Sequence, residues 1–184
     1  QDAIKRFFRP SLDAFHDPFL FPAMQPAVDR ILDAVGRGDP IAIHGDYDVD
    51  GVTATALLVR VLTELGAKCL PHIPNRLTDG YGLSGEGVKS VAEAGAKLMV
   101  TVDCGISAAA EISFAKSLGL DVVVTDHHEP PETLPDALAL INPKIAGCGY
   151  PDRDLAGVGV ALKLCQALAQ ATGKGRGLWE KHLD

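Results

Sequence analysis

Short apolar runs alternate with longer segments of helical period along most of this chain. Five runs have the length of buried strands, at 41–43, 68–73, 98–102, 122–125 and 138–141. Five longer segments predict helices, at 23–37, 51–65, about 85–94, 107–118 and about 155–171. Strands that alternate with helices are typical of right-handed crossovers within one sheet. The pattern therefore predicts an α/β fold, a mostly parallel β-sheet of about five strands with helices on both faces.

The first 22 residues lack this period and combine several prolines with several phenylalanines. We predict an irregular N-terminal arm at 1–22 that packs its aromatic rings on a main domain at 23–184. A chain of 184 residues fits one such domain. Because the chain begins at Gln1 rather than Met and ends at Asp184 without a terminal signal, we expect a piece of a longer protein.

Composition says little about the partner of the protein. Hydrophobic residues make up 47% of the chain and aromatic residues 5%, so aliphatic side chains must fill the core. The net charge of -7 argues against a broad nucleic-acid surface, because phosphate contacts come from lysine and arginine. Carboxylates that bind cations would account for part of this charge, so the net charge leaves the partner open.

The cysteines and the apolar segments predict a cytoplasmic protein. The four cysteines are scattered without a CxxC pair, which is typical of small buried residues in a reducing compartment. No apolar segment is long enough to span a bilayer, and the N-terminus lacks a signal-peptide pattern. We therefore expect no membrane partner.

Acidic and imidazole side chains follow three of the predicted strands. The turn His44–Gly51 follows the first strand, Asp103 follows the third, and Asp126, His127 and His128 follow the fourth. Because the carboxyl ends of parallel strands share one edge of a sheet, these side chains should converge there. The sequence therefore predicts a metal site at this edge.

The residue types favour Mn²⁺ or Mg²⁺ and phosphate chemistry. Asp46, Asp48 and Asp50 alternate by two and offer oxygen ligands, while imidazoles shift the preference towards Mn²⁺. Asp103 lies between the two other clusters in sequence and is the natural bridge between two ions. Two ions about 3.5–4 Å apart would activate a water and stabilise the leaving oxygen of an in-line displacement. Hydrolysis of a phosphoester or phosphoanhydride is thus the predicted reaction class.

Two other acidic sites are poorer explanations of the motif. An EF-hand loop also spaces acids by two, but it needs a glutamate at position twelve, where counting from Asp46 gives Leu57. A receiver-type phospho-acceptor pocket clusters acids at strand ends but leaves His127 and His128 unexplained.

Two loops near the same edge offer further candidates. Arg76, after the second strand, would hold a phosphate with its guanidinium fork, and Tyr81 either stacks on a base or packs the loop. The run 155–161 either offers backbone amides to an anion or packs its helix closely, and we favour close packing.

These motifs together resemble the DHH phosphoesterases, and within that superfamily the RecJ branch. The similarity covers the chain from about residue 18 to its end. It is carried by Asp126-His127-His128, by His44-Gly45-Asp46-Tyr47-Asp48-Val49-Asp50-Gly51, by Pro74-Asn75-Arg76 with Asp79-Gly80-Tyr81-Gly82, and by Val102-Asp103-Cys104-Gly105. RecJ-type proteins are single-strand-specific 5′→3′ DNA exonucleases of bacterial repair and recombination. The resemblance implies that activity here.

The resemblance also implies a two-metal site that uses Mn²⁺ or Mg²⁺ and a metal-activated water, with no covalent intermediate. It assigns metal ligation to Asp48, Asp50, Asp103 and His127. Asp46 and His128 are assigned either as ligands or as supports of the ligands, and His44 is a weaker ligand candidate. Arg76 matches an arginine that lies near the substrate phosphate in such enzymes.

RecJ-type proteins carry more than this chain contains. The resemblance implies a further acidic motif beyond residue 184, a second catalytic-core domain and an OB-fold. We therefore expect weak or absent nuclease activity from this chain alone. The implied partners are single-stranded DNA with a 5′ end, a single-strand-binding protein and a helicase.

Two alternatives stay open. One is a DHH hydrolase of small phosphate compounds, such as pyrophosphate, short oligonucleotides or cyclic dinucleotides. The other is a non-catalytic replication scaffold of the same fold that has lost its metals. Hydrolysis of single-stranded DNA, pAp and pyrophosphate separates the two enzymes, and Mn²⁺ binding separates either enzyme from the scaffold.

Overall fold

Five parallel strands form the sheet that the apolar runs predict. The computed structural model describes residues 8–9, 11–75 and 82–183. Its strands are β1 Pro40–Gly45, β2 Lys68–His72, β3 Leu98–Val102, β4 Asp121–Thr125 and β5 Ala139–Ile141. Their order is β2-β1-β3-β4-β5, and every neighbouring pair is parallel. The chain leaves β1 towards one side and later returns to its other side, so the topological switch point lies between β1 and β3.

Helices cover both faces of this sheet, as predicted. They are α1 Met24–Arg37, α2 Val49–Glu64, α3 Gly85–Glu93, α4 Ala109–Ser117 and α5 Gly157–Ala171. Helices α1, α2 and α5 pack on one face, where Leu58 and Leu164 share a core with Ile43. Helices α3 and α4 pack on the other face, where Val88 and Ile112 share a second core with Met99. The predicted fold class is confirmed.

Strands β1, β3 and β4 are mainly apolar and buried because helices cover both faces of the sheet. Ile41 and Ile43 point into the core under α1, α2 and α5, whereas Ala42 between them points into the other core. Strand β3 is buried at each of its five positions. The sheet therefore holds its strand ends rigidly, and residues that follow β1, β3 and β4 have fixed positions.

Helices α2 and α4 each begin two residues away from their predicted starts, and a capping side chain or a turn explains each difference. Helix α2 begins two residues earlier than predicted, at Val49, because the Asp48 carboxylate caps it. Helix α3 begins at Gly85, as predicted, and Ser84 caps it: the Ser84 Oγ accepts from the Gly87 N–H at 3.1 Å. Helix α4 begins two residues later than predicted, at Ala109, since Gly105 first turns the chain at φ 108°.

The described part of the N-terminal arm packs beside α5. The Phe21 ring stacks on Tyr150 with 4.0 Å between ring centroids. The buried Lys163 ammonium donates to the His16 carbonyl at 3.0 Å and lies over the Phe15 ring, and burial lowers its pKa to about 8. The division of the chain at residue 23 stays a prediction. Within the described residues, no helix has both the length and the apolar composition needed to cross a bilayer.

Candidate metal centre

Acids and imidazoles gather at the switch point of the sheet. Asp46 directly follows β1, Asp103 follows β3, and Asp126, His127 and His128 follow β4. Asp46, Asp103 and Asp126 are each about 1% exposed. Carboxylates avoid such burial unless cations or hydrogen bonds compensate them. The edge therefore has the character of a cation site.

Two groups of ligand atoms occur within the described residues. Asp46, Asp48 and Asp103 each offer an oxygen within 4.8 Å of the other two. Asp103, His127 and His128 form the second group by the same distance. Asp103 belongs to both groups, and its predicted bridging of two ions stays a prediction. His127 Nε2 lies 3.1 Å from Asp103 Oδ1 and 3.7 Å from Asp50 Oδ2, so the predicted convergence is present.

Asp103 is held in an unusual environment. Its φ of 61° makes it the non-glycine residue with a left-handed backbone in the described chain, and its N–H donates to the Thr125 carbonyl at 3.0 Å. Its buried Oδ1 accepts no hydrogen bond from the described residues, although His127 Nε2 lies 3.1 Å away. Burial, reinforced by the carboxylates of Asp50 and Asp48, raises the pKa of Asp103 to about 8. A nearby cation would remove both penalties.

Gly157 leaves the space that the Asp103 side chain occupies. A Cβ on Gly157 would lie 2.2 Å from Asp103 Oδ1 and 2.6 Å from its Cγ, which no real contact allows. Gly157 is the first residue of α5. The start of this helix is therefore packed directly against the shared carboxylate.

Asp46 and Asp48 are oriented by the turn into α2. The Tyr47 N–H donates to Asp46 Oδ1 at 2.7 Å, and Asp48 Oδ1 accepts from the N–H groups of Asp50 and Gly51 at 2.9 and 3.0 Å. Burial, followed by the charge of Asp48, raises the pKa of Asp46 despite the bond from Tyr47. The turn thus fixes two carboxylates that repel each other, an arrangement that a divalent cation would stabilise.

Asp50 binds the start of α5 across more than a hundred residues of sequence. Its Oδ2 accepts from the Gly157 N–H at 2.7 Å, and its Oδ1 accepts from the Val158 N–H at 2.6 Å. The amides at 157 and 158 therefore hold an anion, which belongs to the protein itself. Asp50 lies outside both groups of ligand atoms in the described residues. Its predicted ligation stays a prediction.

Asp126 positions His128, a role that sequence reasoning missed. Asp126 Oδ1 accepts from the His128 Nδ1–H at 2.7 Å and from the His127 N–H at 2.7 Å, while its Oδ2 accepts from the Ile106 N–H at 2.9 Å. With Nδ1 protonated, the Nε2 of His128 keeps the lone pair that a metal needs. The sequence did contain a sign of this role. Asp126 directly precedes two histidines, and a histidine that binds a metal through one ring nitrogen needs a hydrogen-bond partner for the other.

Replacing Asp126 by asparagine should weaken Mn²⁺ binding by about 10- to 100-fold, because the amide cannot accept all of the hydrogen bonds that order His128. Calorimetric titration of the purified protein with Mn²⁺ measures the change. Asp154→Asn, at an exposed aspartate outside the site, is the matched control. Equal affinities for the two variants would remove Asp126 from this role.

Three predicted site residues remain. His44 is described and makes other contacts, whereas Arg76 and Tyr81 lie outside the described residues. The fully buried His44 donates from Nε2 to the Gly82 carbonyl at 3.2 Å and stacks on His72, and it belongs to neither group of ligand atoms in the described residues. Burial lowers its pKa to about 4, so it is neutral at pH 7.

The residues present fit a divalent cation. The buried Asp103 Oδ1 accepts no hydrogen bond from the described residues, and burial together with the surrounding carboxylates raises the pKa of Asp103. A mixed set of carboxylate and imidazole ligands suits Mn²⁺ better than Mg²⁺, although the oxygens suit both.

Comparison with known proteins decides the family. The model of the DHH family, N-terminal domain, matches residues 40–183. The chain belongs to the DHH family. The family takes its name from the turn Asp126-His127-His128, here called the DHH turn. In this turn the Asp126 carboxylate orients His128, and the two histidines supply the imidazoles of the second group of ligand atoms.

Within the DHH family, the chain is similar to RecJ proteins. It is 48% identical to the single-stranded-DNA-specific exonuclease RecJ of Bacillus subtilis, over 89% of this chain and 21% of that protein. A crystal structure of exonuclease RecJ bound to manganese matches it with a TM-score of 0.76 and 40% identity, over 82% of this chain and 38% of that one. RecJ of Thermus thermophilus in complex with Mn²⁺ matches with a TM-score of 0.69 and 38% identity, over 82% and 21%. The chain thus spans about a fifth to two fifths of these relatives.

Proposed function

We propose that this chain carries the two-metal site of an exonuclease that hydrolyses single-stranded DNA from its 5′ end, in repair and recombination. The observation that carries the proposal is the buried Asp103 carboxylate, which two groups of ligand atoms share. The 48% identity to a RecJ protein supports the substrate.

The proposed ligands are Asp46, Asp48 and Asp103 for one ion and Asp103, His127 and His128 for the other. We include Asp50 as a further proposed ligand, because its Oδ2 lies 3.7 Å from His127 Nε2. The same carboxylate also accepts hydrogen bonds from the first amides of α5. The ions are Mn²⁺ or Mg²⁺, and the manganese named with two RecJ structures supports Mn²⁺. When bound, two such ions activate water and stabilise the charge of the leaving oxygen.

The chain's own side chains contribute ligation and orientation rather than a nucleophile. Cys104 lies beside the site, but it is buried, and burial together with the charge of Asp126 raises the pKa of its thiol. A thiol kept protonated is a poor nucleophile. This supports direct attack by water without a covalent intermediate.

The finer parts of the proposal rest on the family resemblance. They are the 5′ polarity, a phosphate contact by Arg76, stacking by Tyr81, a single-strand-binding protein and a helicase as partners, and a cytoplasmic location. Release of mononucleotides from DNA labelled at either end tests the polarity. Pull-down of a purified single-strand-binding protein with the unaltered protein tests the partner independently of catalysis.

A substrate comparison tests the function itself. The full-length protein with Mn²⁺ is given 5′-phosphorylated single-stranded DNA, the matching duplex, pAp and pyrophosphate. We expect the single strand to be hydrolysed at least about tenfold faster than the duplex. Faster hydrolysis of pAp or pyrophosphate than of DNA would favour the small-phosphate alternative. Failure to bind Mn²⁺ would favour the scaffold.

A further inference from the structure

A cavity opens directly beside the second group of ligand atoms. Its volume is about 310 Å³, and Asp126 and His128 form one wall. Leu83, Cys104 and Ile106 are the apolar residues that line it, and this apolar part of the lining is here called the floor. A space of this size is at the small end of ligand pockets, which suits one ring system rather than a length of chain. It is larger than the position of a reacting phosphate requires.

The floor of this cavity is built rigidly. The Thr101 hydroxyl donates to the Cys104 carbonyl at 2.8 Å, and the Ala108 N–H donates to the Gly105 carbonyl at 3.0 Å. The Ile106 N–H donates to Asp126 Oδ2 at 2.9 Å. Because Asp126 also orients His128, the floor and the candidate metal ligand are joined by one carboxylate. A group on the floor therefore has a fixed position relative to the site.

A second acidic side chain lines the cavity in addition to Asp126. Glu111 is half-buried in the first turn of α4 and borders the cavity together with Ala108. A carboxylate accepts hydrogen bonds from amino groups, and cytosine, adenine and guanine carry such groups on their edges. Thymine carries none. The lining thus combines an apolar surface for a flat ring with an acceptor for the edge of that ring.

We propose that this cavity receives the nucleobase of a nucleotide next to the scissile phosphate, with Glu111 accepting a hydrogen bond from the amino group of the base. The inference rests on the proposed function, because it assigns a place to part of the same substrate. It makes Glu111 a specificity-determining residue. Phosphodiesters without a base should be indifferent to it.

The first experiment uses abasic DNA and a variant that fills the cavity. Single abasic nucleotides are placed at each of the first three positions of a 5′-phosphorylated single strand. We expect one of these positions to lower kcat/KM about tenfold, in line with the usual loss of one base contact. Ala108→Leu should remove this difference and raise KM for intact DNA. Ala110→Leu, at an exposed position of the same helix outside the cavity, is the matched control.

The second experiment uses Glu111→Gln, which keeps the size of the side chain and the fold. Strands that differ only in cytosine or thymine at the sensitive position should differ about fivefold in kcat/KM with the parent protein, and less than twofold with the variant. Mn²⁺ affinity, measured by calorimetry, should be equal in both, because Glu111 belongs to neither group of ligand atoms in the described residues.

The outcomes separate this inference from the proposed function. Hydrolysis of bis(4-nitrophenyl) phosphate without hydrolysis of single-stranded DNA would overturn the proposed function and with it the place assigned to the base. Hydrolysis of DNA that is insensitive to abasic nucleotides at all three positions would overturn the inference alone. So would an unchanged base preference in Glu111→Gln.

Discussion

Asp103→Asn should abolish hydrolysis, with a loss of about a thousandfold or more in kcat, and should remove the stabilisation of the protein by Mn²⁺. Asp103 offers an oxygen to both groups of ligand atoms, so the loss of its charge weakens both ions together. Two bound ions contribute several kcal/mol of charge stabilisation to such a reaction, which corresponds to about three orders of magnitude in rate. Rate measurements on the full-length protein with excess Mn²⁺, and thermal melts with and without Mn²⁺, test the two parts.

Asparagine is the right substitution here because Asp103 has a left-handed backbone with φ 61°. Asparagine adopts this conformation readily, whereas alanine would cost about 1–2 kcal/mol. The metal-free variant should therefore melt no lower than the metal-free parent. Hydrolysis by the variant within tenfold of the parent would show that Asp103 does not bridge two ions.

The pH dependence of the metal-free protein should change with the same substitution. Burial raises the pKa of Asp103 from 3.8 to about 8, so between these values the folded protein holds a proton that the unfolded chain has lost. The contribution of Asp103 to stability is therefore largest below pH 4 and is lost as the pH rises to 8. In thermal melts in EDTA, the Tm of the parent minus the Tm of Asp103→Asn should fall as the pH rises from 4 to 8. A constant difference would contradict the environment described for Asp103.

Gly157→Ala should impair Mn²⁺ binding and hydrolysis about a hundredfold or more, although the residue binds no metal itself. Its Cβ would lie 2.2 Å from Asp103 Oδ1, so either the carboxylate or the start of α5 must move. Movement of α5 also breaks the hydrogen bonds from its amides to Asp50. A disturbance of one ångström at a site of this kind is enough to cost two orders of magnitude in rate.

Gly159→Ala, two residues later in the same helix, is the control for this prediction. Its Cβ would lie 3.3 Å from the flexible end of Leu155, and alanine favours a helix over glycine by about 1 kcal/mol. This variant should bind Mn²⁺ and hydrolyse substrate within about twofold of the parent and should melt no lower. If calorimetry gave both variants the affinity of the parent, the packing of Gly157 against Asp103 would be wrong.

The features that could be predicted from the sequence are the buried strands and the polar residues that come directly after them. Buried parallel strands read as short apolar runs, and the polar residues after them must lie at one edge of the sheet. This brought Asp46, Asp103 and His127 together although they are up to about eighty residues apart. The bridging role predicted for Asp103 rested on its position between the two other clusters in sequence.

The features that could not be predicted depend on how helices approach that edge. The bond between Asp50 and the α5 amides joins two elements that are adjacent in space and distant in sequence. The same approach requires Gly157. From the sequence we favoured close packing of the run 155–161 over binding of an anion, and both occur, since the amides of Gly157 and Val158 bind the Asp50 carboxylate. The direction of the His44 ring is set by the Gly82 carbonyl, a contact that no periodicity reveals.

The most direct test is anomalous diffraction from a crystal of the protein soaked in Mn²⁺. We predict two manganese peaks that share the Asp103 carboxylate, one completed by Asp46 and Asp48 and the other by His127 and His128. Manganese peaks elsewhere on the protein, with none within coordination distance of Asp103, would contradict the two-metal site.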